Sequence, residues 1–584
     1  MTTSTEPSAR TLLLGAYAAR SCPVKTHNSY DPTITLDAAA ELRPSGPWSD
    51  LLDSAARFKA VVLDAFTTAG RGRVVDLRLL AEESRSLQTE SCVRAMTSGA
   101  DVIIGGCLPA DLDGHRVGLP DVLIRGEDTL AGGPGYHPVE VKGHKIVERS
   151  RRPVTEGEAP LSIAFSTLAS PTPRDADRLE GFGLRFGSRE ADFVQLAHYY
   201  RMLAAAGFAA ERALAAVIGT DGLWSHPVLV WADLDTPAVR TFSRSDPDGW
   251  RLRSPLERYD YEHAFRVDIA RVAAQQSGHP GLDPEPLVEP IVNAECPRCP
   301  WWSHCRPQLH PDDVSLRIDK GALDLREIAS LRRHGITTIT DLARADLDAL
   351  LLAYLPEVSH RGGAEVRLRT AVRRATMLID GVAFSRETQG PITLAGAEVE
   401  IDFDIESSAD GRIYLWGFLV RTGSGSPTYQ EFSRFDDLDD RAEAALAHDA
   451  FTWLRSVIDT SPSVVVYHYS GYEVARIREL AQREDEELLD WAAAYAEEHF
   501  VDLLETVKTH YFGVAGLGLK LIATHAGFHW RDDDPGGLNS QRWFAEAVHA
   551  DDPEARAQAR TRVLEYNEDD VIATSHLRAW LRAQ

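Results

Sequence analysis

The chain has 584 residues, 44% of them hydrophobic, enough for about three packed domains of ordinary size. No apolar run approaches the ~20 residues that span a bilayer, and Met1 to Arg10 lacks the apolar core of a signal peptide, so a cytoplasmic protein without membrane association is expected. Net charge, 62 basic minus 88 acidic residues or −26, excludes a general nucleic-acid-coating protein, but not an enzyme that holds phosphates in a local basic groove.

In chain order, the first element with chemical content is Cys22, in Arg20-Ser-Cys22-Pro. A helix is predicted over Glu83 to Ser98. Two neighbouring strands then follow, His115 to Arg125 and Tyr136 to Lys142, joined by Gly132-Gly133-Pro134-Gly135. Asp121, in Gly118-Leu-Pro-Asp121, falls on the first strand. Glu140 and Lys142, in Glu-Val-Lys, lie two apart on the second and so share a face. Two converging carboxylates can hold Mg²⁺ or Mn²⁺, which prefer oxygen ligands. A lysine beside them can position water and stabilise charge developing on a phosphate. Further on, Gln195 and Tyr199 are one helical turn apart in Asp192-Phe-Val-Gln-Leu-Ala-His-Tyr.

Cys296, Cys299 and Cys305 form C-x2-C-x5-C. A four-sulfur site needs one more thiolate, and Cys22 is the candidate, with His304 as a rival ligand. Four thiolates suit zinc or an iron–sulfur cluster, and the spacing alone does not separate the two. Cys92 and Cys107 read as core thiols. Residues 315 to 380 read as helical, with a glycine turn at Gly335 between two apolar-periodic stretches. This is either a hairpin whose N–H groups meet a phosphate or a helical spacer. Two arginine groups, Arg149/Arg151/Arg152 and Arg367/Arg369/Arg373/Arg374, fit a phosphate groove or an ordinary solvated surface equally well.

From about residue 385 strands take over, at Ala397 to Ile405, Ile413 to Val420 and Tyr429 to Phe435, before helices and strands alternate to the end. Alternation along the first of these puts Asp402, Asp404 and Glu406 on one face. Ser463 to Glu473 reads as strand, turn and helix start. Tyr566-Asn-Glu-Asp-Asp570 reads as a helix with Tyr566 and Asp570 one turn apart.

Pro-Asp121, Glu140-Val-Lys142 and Gln195-x-x-x-Tyr199, in that order on strand, strand and helix, resemble the RecB-like branch of the PD-(D/E)XK nucleases. That branch also places an acidic or histidine ligand on a preceding helix, for which Glu83 and Glu90 are the candidates. Some members, including CRISPR-adaptation nucleases and the AddB-type subunit, carry one cysteine before the core and three after it. There a [4Fe–4S] cluster clamps the ends of the domain together, so the resemblance favours iron–sulfur over Zn²⁺ for Cys22, Cys296, Cys299 and Cys305. Asp404-x-Glu406, a middle acid and Tyr566-x-x-x-Asp570 resemble the tyrosine variant of the DEDD 3′–5′ exonucleases. By that resemblance Asp404, Glu406 and Asp570 hold two divalent ions ~4 Å apart, and Tyr566 orients the attacking water. Glu473 stands where an aspartate is usual.

The resemblances imply an α/β protein. Residues 1–310 would form a restriction-endonuclease-like PD-(D/E)XK domain with its cysteine cluster. Residues 311–384 would form a helical, helix-hairpin-helix-like segment, and residues 385–584 an RNase H-like domain with a mixed sheet. The expected activity is metal-dependent hydrolysis of DNA phosphodiester bonds at two centres, on single strands or ends, in repair, recombination or defence. Without a G-x-x-x-x-G-K-[ST] loop, unwinding would fall to a helicase partner. Two rivals stand beside this reading: an RNA-processing exonuclease using the C-terminal domain, and a non-catalytic nucleic-acid adaptor. The sequence assigns no oligomeric state.

Overall fold

The computed structural model describes residues 11–36, 47–69, 72–149, 161–224, 226–279, 281–316, 323–484 and 486–584. Its N-terminal half is built on an eight-stranded mixed sheet. The strands are β1 (Val74–Asp76), β2 (Val102–Ile104), β3 (Val122–Arg125), β4 (Tyr136–Val141), β5 (Ser162–Thr167), β6 (Asp177–Glu180), β7 (Leu214–Ile218) and β8 (Val228–Asp233), in the order β1-β2-β3-β4-β7-β8-β5-β6. At its centre β3 and β4 run antiparallel, and β4 and β7 run parallel. All six residues of β4 are buried, as expected of a strand covered on both faces.

One face packs Val62, Leu63 and Phe66 of the Pro47–Ala69 helix against Val122, Ile124, Val139, Val141 and Ile218. The opposite side carries the Phe186–Ala205 helix, whose Tyr199, Met202 and Leu203 pack with Leu123 and Tyr136. The predicted helix at 83–98 runs from Arg85 to Thr97, capped by the Ser84 hydroxyl. The long predicted strand at 115–125 is two pieces. Arg116–Val117 pairs with Leu14–Gly15, and Asp121 sits just before β3 rather than on it.

Helices Leu325–Arg333, Ile339–Arg344, Leu347–Tyr354 and Ala364–Ile379 share a core of Ile328, Leu331, Ile339, Leu342, Leu350, Leu351 and Leu368. Gly335 takes φ +79° at the hairpin, a conformation only glycine adopts cheaply.

The C-terminal sheet has five strands: β9 (Val399–Ser407), β10 (Ile413–Thr422), β11 (Thr428–Ser433), β12 (Val464–His468) and β13 (Phe500–Asp502), ordered β11-β10-β9-β12-β13. The first three are antiparallel, and β12 and β13 continue parallel to β9. Alternation along β9 decides the layers. Val399, Ile401, Phe403 and Ile405 enter the core with Leu446, Phe451 and Leu454 of the Asp440–Thr460 helix. Glu400, Asp402, Asp404 and Glu406 face the other way, beneath the Pro553–Arg582 helix, from which Arg578, Asn567 and Asp570 reach them. No helix among the described residues is long and apolar enough to cross a membrane.

Candidate active sites

The four acids in a row on β9 divide into two pairs. Arg578 bonds Asp402 through Nε at 3.0 Å and Nη2 at 2.7 Å and also pairs with Glu400, which Arg582 bonds as well. That end of the row is neutralised and structural. Among the described residues no arginine pairs with Asp404 or Glu406. Their ligand oxygens and one of Asp570 lie within 4.8 Å of one another, the only place among the described residues where three potential metal-ligand atoms meet so closely. Glu406 and Asp570 are buried and Asp404 is partly open to solvent.

Neutral donors hold the three carboxylates. Asn567 Nδ2 donates to Asp404 Oδ2 at 2.8 Å, Ser540 Oγ to Glu406 Oε2 at 2.6 Å, and Trp530 Nε1 to Asp570 Oδ1 at 2.7 Å. Burial first, and then the neighbouring carboxylates, raises the pKa of Asp404 well above the usual range and pushes Glu406 up to about 8. Like charges crowded out of water need a cation, and an all-oxygen donor set suits Mg²⁺ or Mn²⁺. The residues therefore fit a hard divalent ion.

Tyr566 and Asp570 lie on the Pro553–Arg582 helix as the motif requires, and the Tyr566 hydroxyl accepts from Lys520 Nζ at 2.6 Å. Glu473 lies in the first turn of the Tyr472–Arg483 helix. It is buried, 3.3 Å from His468 Nδ1, and accepts from the Ser470 hydroxyl at 3.5 Å. Its charge acts on Asp404, but it stands outside the tight group of three. Ser470 beside it has φ +109°, a strained region for a residue with a side chain.

Sequence reasoning missed Asn567, Lys520, Ser540 and Trp530. Asn567 was discoverable inside the motif, because the glycine paired opposite Asp404 makes room for it. A Cβ on Gly417 would stand 1.7 Å from Asn567 Oδ1. Lys520, Ser540 and Trp530 come from segments with no motif of their own.

The N-terminal residues also come together. Lys142 Nζ donates to Glu140 Oε2 at 3.0 Å and to Gln195 Oε1 at 2.8 Å. Gln195 Nε2 donates to the Tyr199 hydroxyl at 3.2 Å, which donates to the Leu119 carbonyl at 3.2 Å. This chain of bonds ties the lysine to the loop that carries Asp121, whose Oδ2 accepts from Val141 N–H at 3.0 Å. Gly118 is required here too, since a Cβ would meet Tyr199 Cε1 at 2.6 Å. Glu140 Oε1 is buried with no hydrogen-bond partner. Burial, then the Asp121 charge, pushes the Glu140 carboxyl up to about 7. An orphaned carboxylate oxygen beside a second carboxylate fits a cation.

The preceding-helix ligand does not arrive from the expected place. Glu83 lies before the Arg85–Thr97 helix, and exposed Glu90 accepts from the Ser86 hydroxyl on its own helix. The side chain that reaches Asp121 is Lys59, from the Pro47–Ala69 helix, in a short ion pair. A lysine is no metal ligand at this centre; it balances charge. Asp192 joins the same network, 2.8 Å from His144 Nε2 and 3.9 Å from Lys142.

Cys22, Cys296, Cys299 and Cys305 line one cavity with Lys25, Asn293, Trp301 and Trp302. His304 is not among the lining residues; its charge acts on His27. Glu295 ties the two ends together, accepting from Cys22 N–H at 3.0 Å and pairing with Lys25. Asn293 N–H lies 3.3 Å from Cys296 Sγ and Asn28 Nδ2 lies 3.6 Å from Cys305 Sγ. No three of these sulfurs lie within 4.8 Å of one another. Cys92 and Cys107 are buried elsewhere; burial pushes Cys92 up to about 12.

The Gly335 hairpin has the expected shape but not free amides. Thr337 and Thr338 N–H donate to Asp341 Oδ2, and Thr340 N–H to Asp312 Oδ2. These three amides are thus paired with carboxylates of the same segment. The arginines nearby are committed as well: Arg367 to buried Glu327, Arg369 to Glu365 and Arg373 to Glu387, while Arg374 stacks over Phe512. Arg149 lies over Phe182; Arg151 and Arg152 lie outside the described residues.

No curated protein and no solved structure matches the chain. Residues 401–582 match a family model described as the RNase_H superfamily, so the chain carries a C-terminal RNase H-like domain.

Proposed function

We propose that this chain is a two-centred, metal-dependent nuclease that hydrolyses phosphodiester bonds of DNA, single strands or ends first. The observation that carries the reading is the convergence of Asp404, Glu406 and Asp570 on one point, without an arginine, within a domain of a nuclease-rich superfamily. Divalent ions bound there would neutralise the carboxylates and stabilise charge on the attacking and leaving oxygens. Burial and the nearby carboxylates hold the Tyr566 phenol far above its ordinary range. Its hydroxyl, fixed by Lys520, would orient a water molecule there.

The first centre is supported by the bonded set Asp121, Glu140, Lys142, Gln195 and Tyr199, which follow in the chain order of the RecB-like branch. Within that reading Asp121 and Glu140 would hold one cation, and Lys142, anchored by Gln195, would meet the phosphate. Residues 1–310, 311–384 and 385–584 serve as nuclease domain, spacer and exonuclease domain. Cys22, Cys296, Cys299 and Cys305 would hold a [4Fe–4S] staple, a reading supported by the meeting of all four, from both ends of the domain, on one cavity. Such a clip closes a very long loop, where restricting the unfolded chain stabilises most.

The test uses anaerobically purified protein, 5′-labelled single-stranded DNA and matched RNA, with Mn²⁺. Cleavage should survive in Lys142→Ala and in Asp404→Ala and vanish in the double variant. A wild type that leaves both polymers intact would return the chain to the adaptor reading, and RNA cut in preference to DNA would favour an RNA-processing exonuclease.

A further inference from the structure

Lys520 is a cation whose charge acts on Asp404, Glu406 and Asp570 alike. It belongs to the short helix Leu519–His525, fixed by Ile522 in a core with Val507 and Leu577. Its Nζ donates to the Tyr566 hydroxyl at 2.6 Å, stands 3.6 Å from Asp570 Oδ2, and lies 4.6 Å from the centre of the Tyr566 ring and 5.6 Å from that of Trp530. Asp570 is thus held from two sides, by Trp530 on Oδ1 and by Lys520 beside Oδ2. The lysine side chain keeps a third of its surface in solvent, so its ammonium sits at the border between the carboxylates and the outside.

We infer that Lys520 is a positioning residue of the second centre, holding the Tyr566 hydroxyl in place and supplying the counter-charge to Asp570 when no metal is bound. The inference rests on the reading of Asp404, Glu406 and Asp570 as a nuclease metal site. An ammonium donating into the phenol oxygen takes one of its lone pairs and turns the O–H bond away from itself, towards the carboxylates and any water bound among them. A neutral side chain there would leave the hydroxyl free to rotate. A divalent ion entering the site must overcome the lysine's repulsion, so Lys520 also lowers the affinity for metal.

The full chain carrying Lys142→Ala isolates the second centre. On that background Lys520→Met and Tyr566→Phe should each lower kcat on single-stranded DNA about 10- to 100-fold, as losses of such supporting partners do, with KM little changed. The two losses should not multiply: Lys520→Met with Tyr566→Phe should be no slower than Tyr566→Phe alone. Lys520→Arg should recover part of the rate. In a cleavage-independent Mn²⁺ titration Lys520→Met should bind several-fold tighter, with its unfolding midpoint reporting that it is folded. Multiplying losses, an unchanged rate, or weaker Mn²⁺ binding in Lys520→Met would each overturn the inference. Asp404→Asn reports on the underlying reading separately: a Mn²⁺ stoichiometry that it leaves unchanged removes the metal site at the second centre, and Lys520's role with it.

Discussion

Replacing Glu406 with glutamine keeps the side chain's shape and its bond from Ser540 while deleting one of the crowded charges. In the metal-free protein the Glu406 carboxyl is pushed up to about 8, by burial first and then by Asp570, against about 4.3 for an ordinary glutamate. Between those two values the folded chain keeps a proton that the unfolded chain has released. The folded state then binds more protons, and stability falls as pH rises through that window. The penalty is absent below about pH 4, grows from there to about 8, and is complete above it. At about 1.4 kcal/mol per unit the ceiling is ~5 kcal/mol. Because Asp404 and Asp570 share protons with Glu406, deleting one charge should recover about 2–4 kcal/mol of it. Calorimetry in EDTA should therefore find Glu406→Gln more stable than wild type at pH 8, by roughly 5–15 °C for a domain of this size, and hardly different at pH 4.5. Mn²⁺ should reverse the order by stabilising the wild type alone. An equal gain at both pH values, or a loss at pH 8, would refute the account of the carboxylates as a strained cation site.

Three other perturbations read different parts of the structure. Gly417→Ala drives a Cβ into Asn567 and so removes the donor to Asp404; cleavage at the second centre in the Lys142→Ala background should fall at least about tenfold, with an overpacking cost of ~1–3 kcal/mol, and a parental rate would show that Asn567 does not matter. Arg578→Met strands Asp402 in the core, which should cost about 3–5 kcal/mol in urea unfolding, and Asp402→Asn in the same chain should recover part of it. Cys22→Ser should lose the iron measured in anaerobically purified protein; one zinc per chain and no iron in the parent would sink the cluster reading.

The strands β3, β4 and β9 to β12 were legible because their alternation or unbroken β-branched run shows in the sequence, whereas β1, β2 and β13, three residues each, are too short to show a period, and β5 to β8 were not identified. The motif acids were legible because chemistry fixes their spacing within one element. What escaped came from elsewhere in the chain. Lys59 precedes Asp121 by 62 residues and Lys520 precedes Tyr566 by 46, and nothing local marks either lysine as different from any other on an amphipathic helix. The expected acidic ligand on a preceding helix failed for the same reason: the helix that delivers a side chain to Asp121 lies earlier than Arg85–Thr97, and it delivers a cation.

Asp402 shows most directly where sequence periodicity stops. Alternation puts Asp402, Asp404 and Glu406 on one face with equal right, and all three meet the same helix. Their roles separate only because Arg578 lies 176 residues downstream and two turns beyond Asp570 on that helix. The arginine reaches Asp402 and Glu400, and the last two acids are left beneath neutral donors. The charge pattern of the helix, cationic near its end and amide or acidic one to three turns earlier, converts a uniform acidic stripe into a neutralised support and an electron-rich site. A carboxylate in such a stripe is thus assigned by what the covering helix lacks, which an inspection of the strand by itself never reveals. Moving the cation tests this directly. A basic residue introduced at position 567 in place of asparagine should pair with Asp404, lower the Mn²⁺ stoichiometry by the share of the second centre and leave the domain folded; an unchanged stoichiometry in Asn567→Lys would mean that something other than unpaired charge selects the site.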